Sequence, residues 1–212
     1  NFRKPFDYII SQGFHDLDVY YNEDKDKLMG HEPIKSQIRG RLTKFLKKHK
    51  GKNIMILAHS MGSIIAYDVL HILQQEVEVD TLVSLGSPLG LPLIRENIMK
   101  DHGIPVDEDL LPPTPNNLKH WHNLSDKEDN IAAFNKLSDK YKPNINGVKP
   151  MGQLVNNNYK LYHTENAHKS FGYLRTNELA TLISTFLSEG RSSLLVKGKQ
   201  LFTKKGKKKP QQ

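Results

Sequence analysis

The chain has 212 residues and no cysteine. That length suits one domain with a sizeable core, and the missing cysteines exclude a disulfide framework, a thiolate metal site and a cysteine nucleophile. The formal net charge is +8, but residues 192–212 carry seven lysines and no acid, so the rest of the chain stands at only +1.

The charge therefore belongs to a terminal segment and does not make the whole chain a polyanion binder. Its run Lys204-Lys205-Gly206-Lys207-Lys208-Lys209 has little aromatic interleaving beyond Phe202. Residues 191–212 are expected to form a basic, solvated and disordered tail. Weak contact with an anionic membrane is its expected partner chemistry, and no specific nucleic acid is expected. Leu194 to Val196 and Leu201-Phe202 would add modest apolar anchoring. No apolar stretch approaches the roughly 20 residues of a membrane-spanning helix, and no signal peptide is visible, which favours a cytoplasmic location.

Residues 1–190 read as a single α/β domain. Phe6 to Ile10 suits a short strand ended by Gly13, and Leu17 to Tyr21 suits a second, with a charged loop from Glu23 to Lys27. From Pro33 the period becomes helical, with Ile34, Ile38, Leu42, Phe45 and Leu46 at three- and four-residue spacing. Lysines 47, 48 and 50 crowd its last turn, and Gly51 stops it. Ile54 to Leu57 is an apolar strand. A helix follows with Ile64, Ile65, Ala66, Val69, Leu70 and Leu73 as its apolar positions.

Val79 to Leu85 is a second buried strand, ending in the loop Gly86-Ser87-Pro88-Leu89-Gly90. Residues 100–117 form a proline-rich irregular excursion. Leu118 to Leu124, with Trp121, is a third strand; residues 135–157 are irregular; Tyr159 to His163 is a fourth strand. Leu174 to Leu187 closes the domain as an amphipathic helix. Strands alternating with helices predict a mainly parallel sheet with helices on both faces.

The stretch with chemical content is Leu57-Ala58-His59-Ser60-Met61-Gly62-Ser63. Strand, sharp turn, serine and helix in succession form the context of a nucleophile elbow. The turn exposes the Ser60 hydroxyl, and Ala58 and Gly62 are expected to be small because strand and helix approach closely there. A serine hydroxyl needs a base, and the base needs an acid to orient it. In an open parallel sheet these groups gather beyond the carboxyl ends of the strands. Asp126 and Asp129 follow the third strand, and His168 follows the fourth. The chain order is serine, acid, histidine, with spacings of 69 residues from Ser60 to Asp129 and 39 from Asp129 to His168. Both acids stay open at this point. His59 is expected to pack beside the turn, and Trp121 and Tyr173 to be core or pocket wall. His120 and His122 lack a third ligand for a metal.

These stretches resemble the α/β-hydrolase superfamily, in its lipase- and esterase-like branch. The resemblance covers roughly residues 33–188 and includes Leu85-Gly86-Ser87-Pro88-Leu89-Gly90. It implies a serine hydrolase that cleaves a carboxylic ester, of a lipid or a small molecule, through an acyl-enzyme and without cofactor or metal. Ser60 would be the nucleophile, His168 the base and Asp129 the acid, because the family often places the acid two residues before an Ile or Val, here Ile131; Asp126 is the alternative acid. The backbone N–H of Met61 would supply one oxyanion donor. The second normally comes from a loop after an earlier strand. Ile9-Ile10-Ser11-Gln12-Gly13-Phe14 is its closest imitation, but only 46 residues separate Gly13 from Ser60. The first strands are therefore expected upstream of Asn1 or in degenerate form. A catalytically impaired hydrolase-like binding module, and a membrane- or polyanion-associated protein acting through its tail, are the alternative readings.

Overall fold

A computed structural model describes residues 15–21, 32–106, 111–133, 135–161 and 163–190. The expected strand at Phe6 to Ile10, the Gln12 segment, the Glu23 to Lys27 loop and the basic tail lie outside the described residues. The chain divides after Thr176 into two units.

The first unit opens with helix α1 (His15–Tyr21), where the sequence suggested a strand. Its weak alternation of apolar residues is overridden by packing: Leu17 and Tyr20, three apart, are both buried in the main core, as a helix allows and a strand does not. Helix α2 (Ile34–Lys48) follows Pro33, and the chain turns into β1 (Met55–His59) through Gly51, whose φ of 79° favours glycine. Then come α3 (Met61–Ile72), β2 (Val79–Leu85), α4 (Pro92–Asp101) and β3 (Leu118–Ser125). The fourth strand of the sheet is β4 (Met151–Leu154), inside the stretch expected to be irregular. All three pairings are parallel, in the order β1-β2-β3-β4.

The expected strand from Tyr159 to His163 is instead a small antiparallel hairpin, β5 (Lys160–Leu161) and β6 (Thr164–Glu165), separate from the main sheet. His163 at its turn has φ 68°, so an extended run through it is impossible. A four-residue helix, α5 (Ser170–Tyr173), follows. The second unit is described by helix α6, residues 177–190. It starts three residues later than the expected Leu174, because the chain first completes α5.

In-register rows show where the core sits. Ile56, Leu82 and Trp121 form one row and belong with Ile64, Val69, Leu70, Ile94 and Ile98 to one apolar cluster. The row Leu57, Val83, His122 and Met151 points to the opposite face, where Leu57 and Met151 are exposed. The helices α1 to α4 of this unit all contribute to the first cluster. Each strand follows its neighbour in order, so right-handed crossovers put their connections on one side. Helices α1 to α4 thus cover one face, while on the other Val83, Leu85 and Leu124 are buried and Leu57 and Met151 are exposed.

Helix α3 is buried around most of its girth, including a charged residue, Asp68. Burial alone would disfavour that carboxylate. It is held by the Tyr20 hydroxyl at 2.6 Å, Arg39 Nη2 at 2.5 Å and His102 Nε2 at 3.1 Å. Burial raises the Asp68 pKa, but the His102 hydrogen bond and the Arg39 charge outweigh it and hold the carboxyl below its usual range. Lys35, also buried, pairs with Asp101 and lies over the Tyr21 ring at 4.6 Å. The network ties α1, α2 and α4 to α3.

His71, whose ring lies 4.2 Å from the His102 ring and tilted 50° to it, has its pKa pushed down to about 4 by burial and by His102. A histidine lowered in the folded state takes its proton more readily when unfolded, so stability falls as pH drops from about 6.5 towards 4. Asp68 acts further down: its contribution is present above the ordinary carboxylate pKa and is lost as pH falls through its depressed value. Urea midpoints measured at pH 7.0, 5.5 and 4.5 are therefore expected to decline, and His71→Phe to flatten that decline. An unchanged slope in the variant would overturn the assignment to His71.

Candidate active site

The turn from β1 into α3 contains one residue, Ser60. Its backbone sits at φ 52°, ψ −128°, a conformation that costs a non-glycine residue on the order of 1–3 kcal/mol. Three contacts hold it there. Its N–H donates to the Leu85 carbonyl at the end of β2 (3.0 Å), and its carbonyl accepts from Ser63 N–H (2.9 Å) and from the Ser63 hydroxyl (2.6 Å). With that proton committed, Ser63 Oγ accepts in turn from the Ser87 hydroxyl (2.7 Å), which itself accepts from Leu89 N–H (3.2 Å). Sequence reasoning had no signal for this relay, which joins the elbow to the loop after β2.

Ser60, His168 and Asp129 are brought together. The Ser60 hydroxyl lies 2.9 Å from His168 Nε2, and His168 Nδ1 lies 3.0 Å from both carboxylate oxygens of Asp129. An ionised carboxylate only accepts, so Nδ1 carries the proton and Nε2 is free to accept from Ser60. The three elements meet at the carboxyl ends of β1 and β3 and in the loop after the β5-β6 hairpin.

Asp129 is fully buried and well supplied with donors. Oδ1 accepts from Ile131 N–H (3.0 Å) and Ala132 N–H (3.4 Å), capping the short 3₁₀ turn Asn130–Ala132, and Oδ2 accepts from the Tyr173 hydroxyl (2.6 Å). A capping role and the contact with His168 thus coexist in one side chain. Tyr173, expected as core or pocket wall, is fully buried, and its hydroxyl also accepts from Asp126 N–H at 3.0 Å. Burial first, and the charge of Asp129 second, push its pKa up, so it stays a neutral donor.

Asp126, the alternative acid, has no contact with His168 among the described hydrogen bonds. Its carboxylate accepts from Glu128 N–H (2.8 Å) and from Asn157 N–H. It braces its own loop and ties that loop to residue 157.

Gly86 closes the bottom of the site. Its φ is +54°, and a Cβ there would fall 2.7 Å from Asp129 Oδ2, 2.9 Å from Tyr173 Cε2 and 3.3 Å from His168 Nδ1. Only a residue without a side chain lets the acid, the tyrosine and the histidine converge. Gly62, the expected small residue of the elbow, differs: a Cβ there meets nothing within 4 Å. The close approach lies one strand over, at the end of β2, because the side chains of the acid and histidine loops reach across that strand.

His59 does pack beside the turn, as expected, and it also touches His168. Its ring lies 4.8 Å from the His168 ring, and its Nε2–H donates to the His168 carbonyl at 2.7 Å. Burial lowers its pKa, which favours the neutral ring. Met61 is the first residue of α3, directly after Ser60, so its N–H is one of the orphan donors of a helix start. Among the described residues, no group of three or more metal-ligating side chains forms, and no helix is long and apolar enough to cross a membrane. His120 and His122 stand on one face of β3, across from Thr81 and Val83.

Comparison with family models, with curated proteins and with solved structures found no match to this chain.

Proposed function

We propose that this protein is a serine hydrolase of the α/β-hydrolase type, lipase- or esterase-like, that cleaves a carboxylic ester. One observation carries the reading: a serine in a strained strand-to-helix turn is joined through 2.9 Å and 3.0 Å contacts to a histidine and a buried carboxylate. That arrangement answers the weakness of a serine nucleophile.

In this reading Ser60 Oγ attacks the ester carbonyl carbon while His168 Nε2 takes its proton. Asp129 holds Nδ1–H and stabilises the imidazolium. The Met61 N–H would donate to the carbonyl oxygen as it gains charge. The imidazolium then gives its proton to the departing alcohol, leaving an acyl-Ser60 ester. Water, deprotonated by the same Nε2, attacks that ester and releases the acid, and the proton returns to Ser60. No cofactor takes part.

A fluorophosphonate probe tests the reading, because it phosphonylates only an activated serine. One equivalent is expected to attach to the full chain at Ser60, and none to Ser60→Ala. Absence of labelling in the unaltered protein would overturn the hydrolase reading in favour of a hydrolase-like binding module.

A further inference from the structure

The loop that carries His168 is gripped at three successive carbonyls. Asn157 Nδ2 donates to Ala167 O at 2.6 Å and to Lys169 O at 2.9 Å. His59 Nε2–H donates to the carbonyl between them, that of His168 itself, at 2.7 Å. These are side-chain donors reaching from elsewhere: His59 ends β1 immediately before Ser60, and Asn157 follows β4.

Asn157 is itself anchored. Its N–H donates to Asp126 Oδ2, and its Oδ1 accepts from Tyr159 N–H at 3.3 Å. It is only 6% exposed, and it packs so closely on Gly172 that a Cβ at position 172 would fall 1.4 Å from Asn157 Oδ1. The amide cannot swing away without displacing α5.

His168 follows no strand of the main sheet, so no ladder of backbone hydrogen bonds fixes its place. The described β5-β6 hairpin before it pairs only two residues with two. Yet its Nε2 must stay within hydrogen-bond reach of Ser60. We infer that His59 and Asn157 are positioning residues that together clamp the backbone of residues 167–169, so that the nucleophile turn and the base are registered to each other. His59 is central because it couples neighbours: residue 59 holds the carbonyl of residue 168 while residue 60 meets its ring. A small shift of the β1 end therefore moves both contacts together. This inference rests on the hydrolase reading for its kinetic consequence, but not for its geometric one.

Three variants and three measurements test it. His59→Phe keeps a flat ring and removes the donor; His59→Gln keeps a donor at a similar reach. His59→Phe is expected to lower kcat on a p-nitrophenyl ester and the rate of fluorophosphonate labelling by about tenfold, with KM unchanged, since a misplacement of about 1 Å costs up to about a hundredfold. His59→Gln is expected to recover to within about threefold of the unaltered protein, which a purely packing role would not allow. Asn157→Ala releases the other two carbonyls and is expected to act in the same direction, and it serves where His59→Phe does not fold. In ¹⁵N-histidine-labelled protein, the His168 ring is expected to report the single Nδ1–H tautomer, and in His59→Phe an average of both. Labelling of His59→Phe at the unaltered rate, with an unchanged His168 signal, would overturn the clamp. If the unaltered protein is not labelled at all, the hydrolase reading falls, and the tautomer signal alone decides the clamp: averaging in His59→Phe supports it and no change rejects it.

Discussion

Asp129→Asn is expected to lower kcat for ester hydrolysis by about 10⁴-fold with little change in KM. The reason is the tautomer. The carboxylate accepts the His168 Nδ1 proton at 3.0 Å, while its other contacts, Ile131 N–H, Ala132 N–H and the Tyr173 hydroxyl, also need acceptors. An amide brings two protons of its own into this set. With the two backbone donors claiming the oxygen at the Oδ1 position, the amide N–H₂ takes the Oδ2 position, where it faces Tyr173 and His168, and the imidazole must present a lone pair at Nδ1. The proton then sits on Nε2, where it blocks acceptance from Ser60; loss of the correct tautomer has an effect of about 10⁴ in the Ser-His-Asp template. Asp126→Asn is the control. Among the described residues, its carboxylate accepts from the Glu128 and Asn157 backbone N–H groups. An amide oxygen keeps one of these and loses the other, a change of about 1–3 kcal/mol in stability, with a kcat loss of about tenfold through the loosened 157 loop. Steady-state kinetics on the same ester decides between the two acids: a larger kcat loss in Asp126→Asn than in Asp129→Asn would reverse their roles.

Gly86→Ala is expected to damage both activity and folding, although the change is one methyl group. The added Cβ meets the Asp129 carboxylate at 2.7 Å, the Tyr173 ring at 2.9 Å and His168 Nδ1 at 3.3 Å, and the backbone holds φ +54°. None of these neighbours is a free side-chain end. Asp129 is pinned by its four contacts, and Tyr173 bridges both acid positions. Something in the triad must move, and a displacement of about 1 Å between acid and base costs on the order of a hundredfold in kcat. The left-handed backbone adds about 1–2 kcal/mol of strain for alanine. Gly62→Ala is the matched control for folding. Its Cβ meets nothing within 4 Å, and it lies in the first turn of α3, where alanine is preferred over glycine. Thermal melts are expected to show a lower Tm for Gly86→Ala and an equal or higher one for Gly62→Ala. Equal melting of both variants with the unaltered protein would mean that the crowding at Gly86 relaxes freely.

Much of this site was legible along the chain. Ser60 could be found because an elbow is local: an apolar strand, a small-residue turn and an apolar helix lie within twenty residues, and each has a periodic pattern. β1 and β2 were legible as short stretches rich in apolar residues, and β3 from Leu118, Trp121 and Leu124 set among polar ones. The acid was narrowed to two residues, since both follow β3, and separating them further took a resemblance. Asp126 and Asp129 differ by less than one turn of chain, and only the side-chain partners tell a loop brace from a carboxylate aimed at His168. α1 and β4 were misread because they are short, polar and weakly periodic; burial of Leu17 and Tyr20, and the open edge of β3, decided them. The hairpin before His168 was taken for a strand of the sheet because two-residue pairing leaves no pattern to distinguish it.

By itself the sequence determined the strand-turn-helix context of Ser60, the chain order of Ser60, the two aspartates and His168, the coarse α/β class and the placement of the excess charge in residues 192–212. These depend on composition, spacing and local period, which a linear chain displays. The tertiary structure decided which carboxylate meets His168, why residue 86 and not residue 62 must be glycine, and which side chains hold residues 167–169. Each of those answers is a distance between residues 10 to 109 positions apart or an angle at one backbone position. No local pattern encodes such a distance; it exists only once the strands are stacked in register.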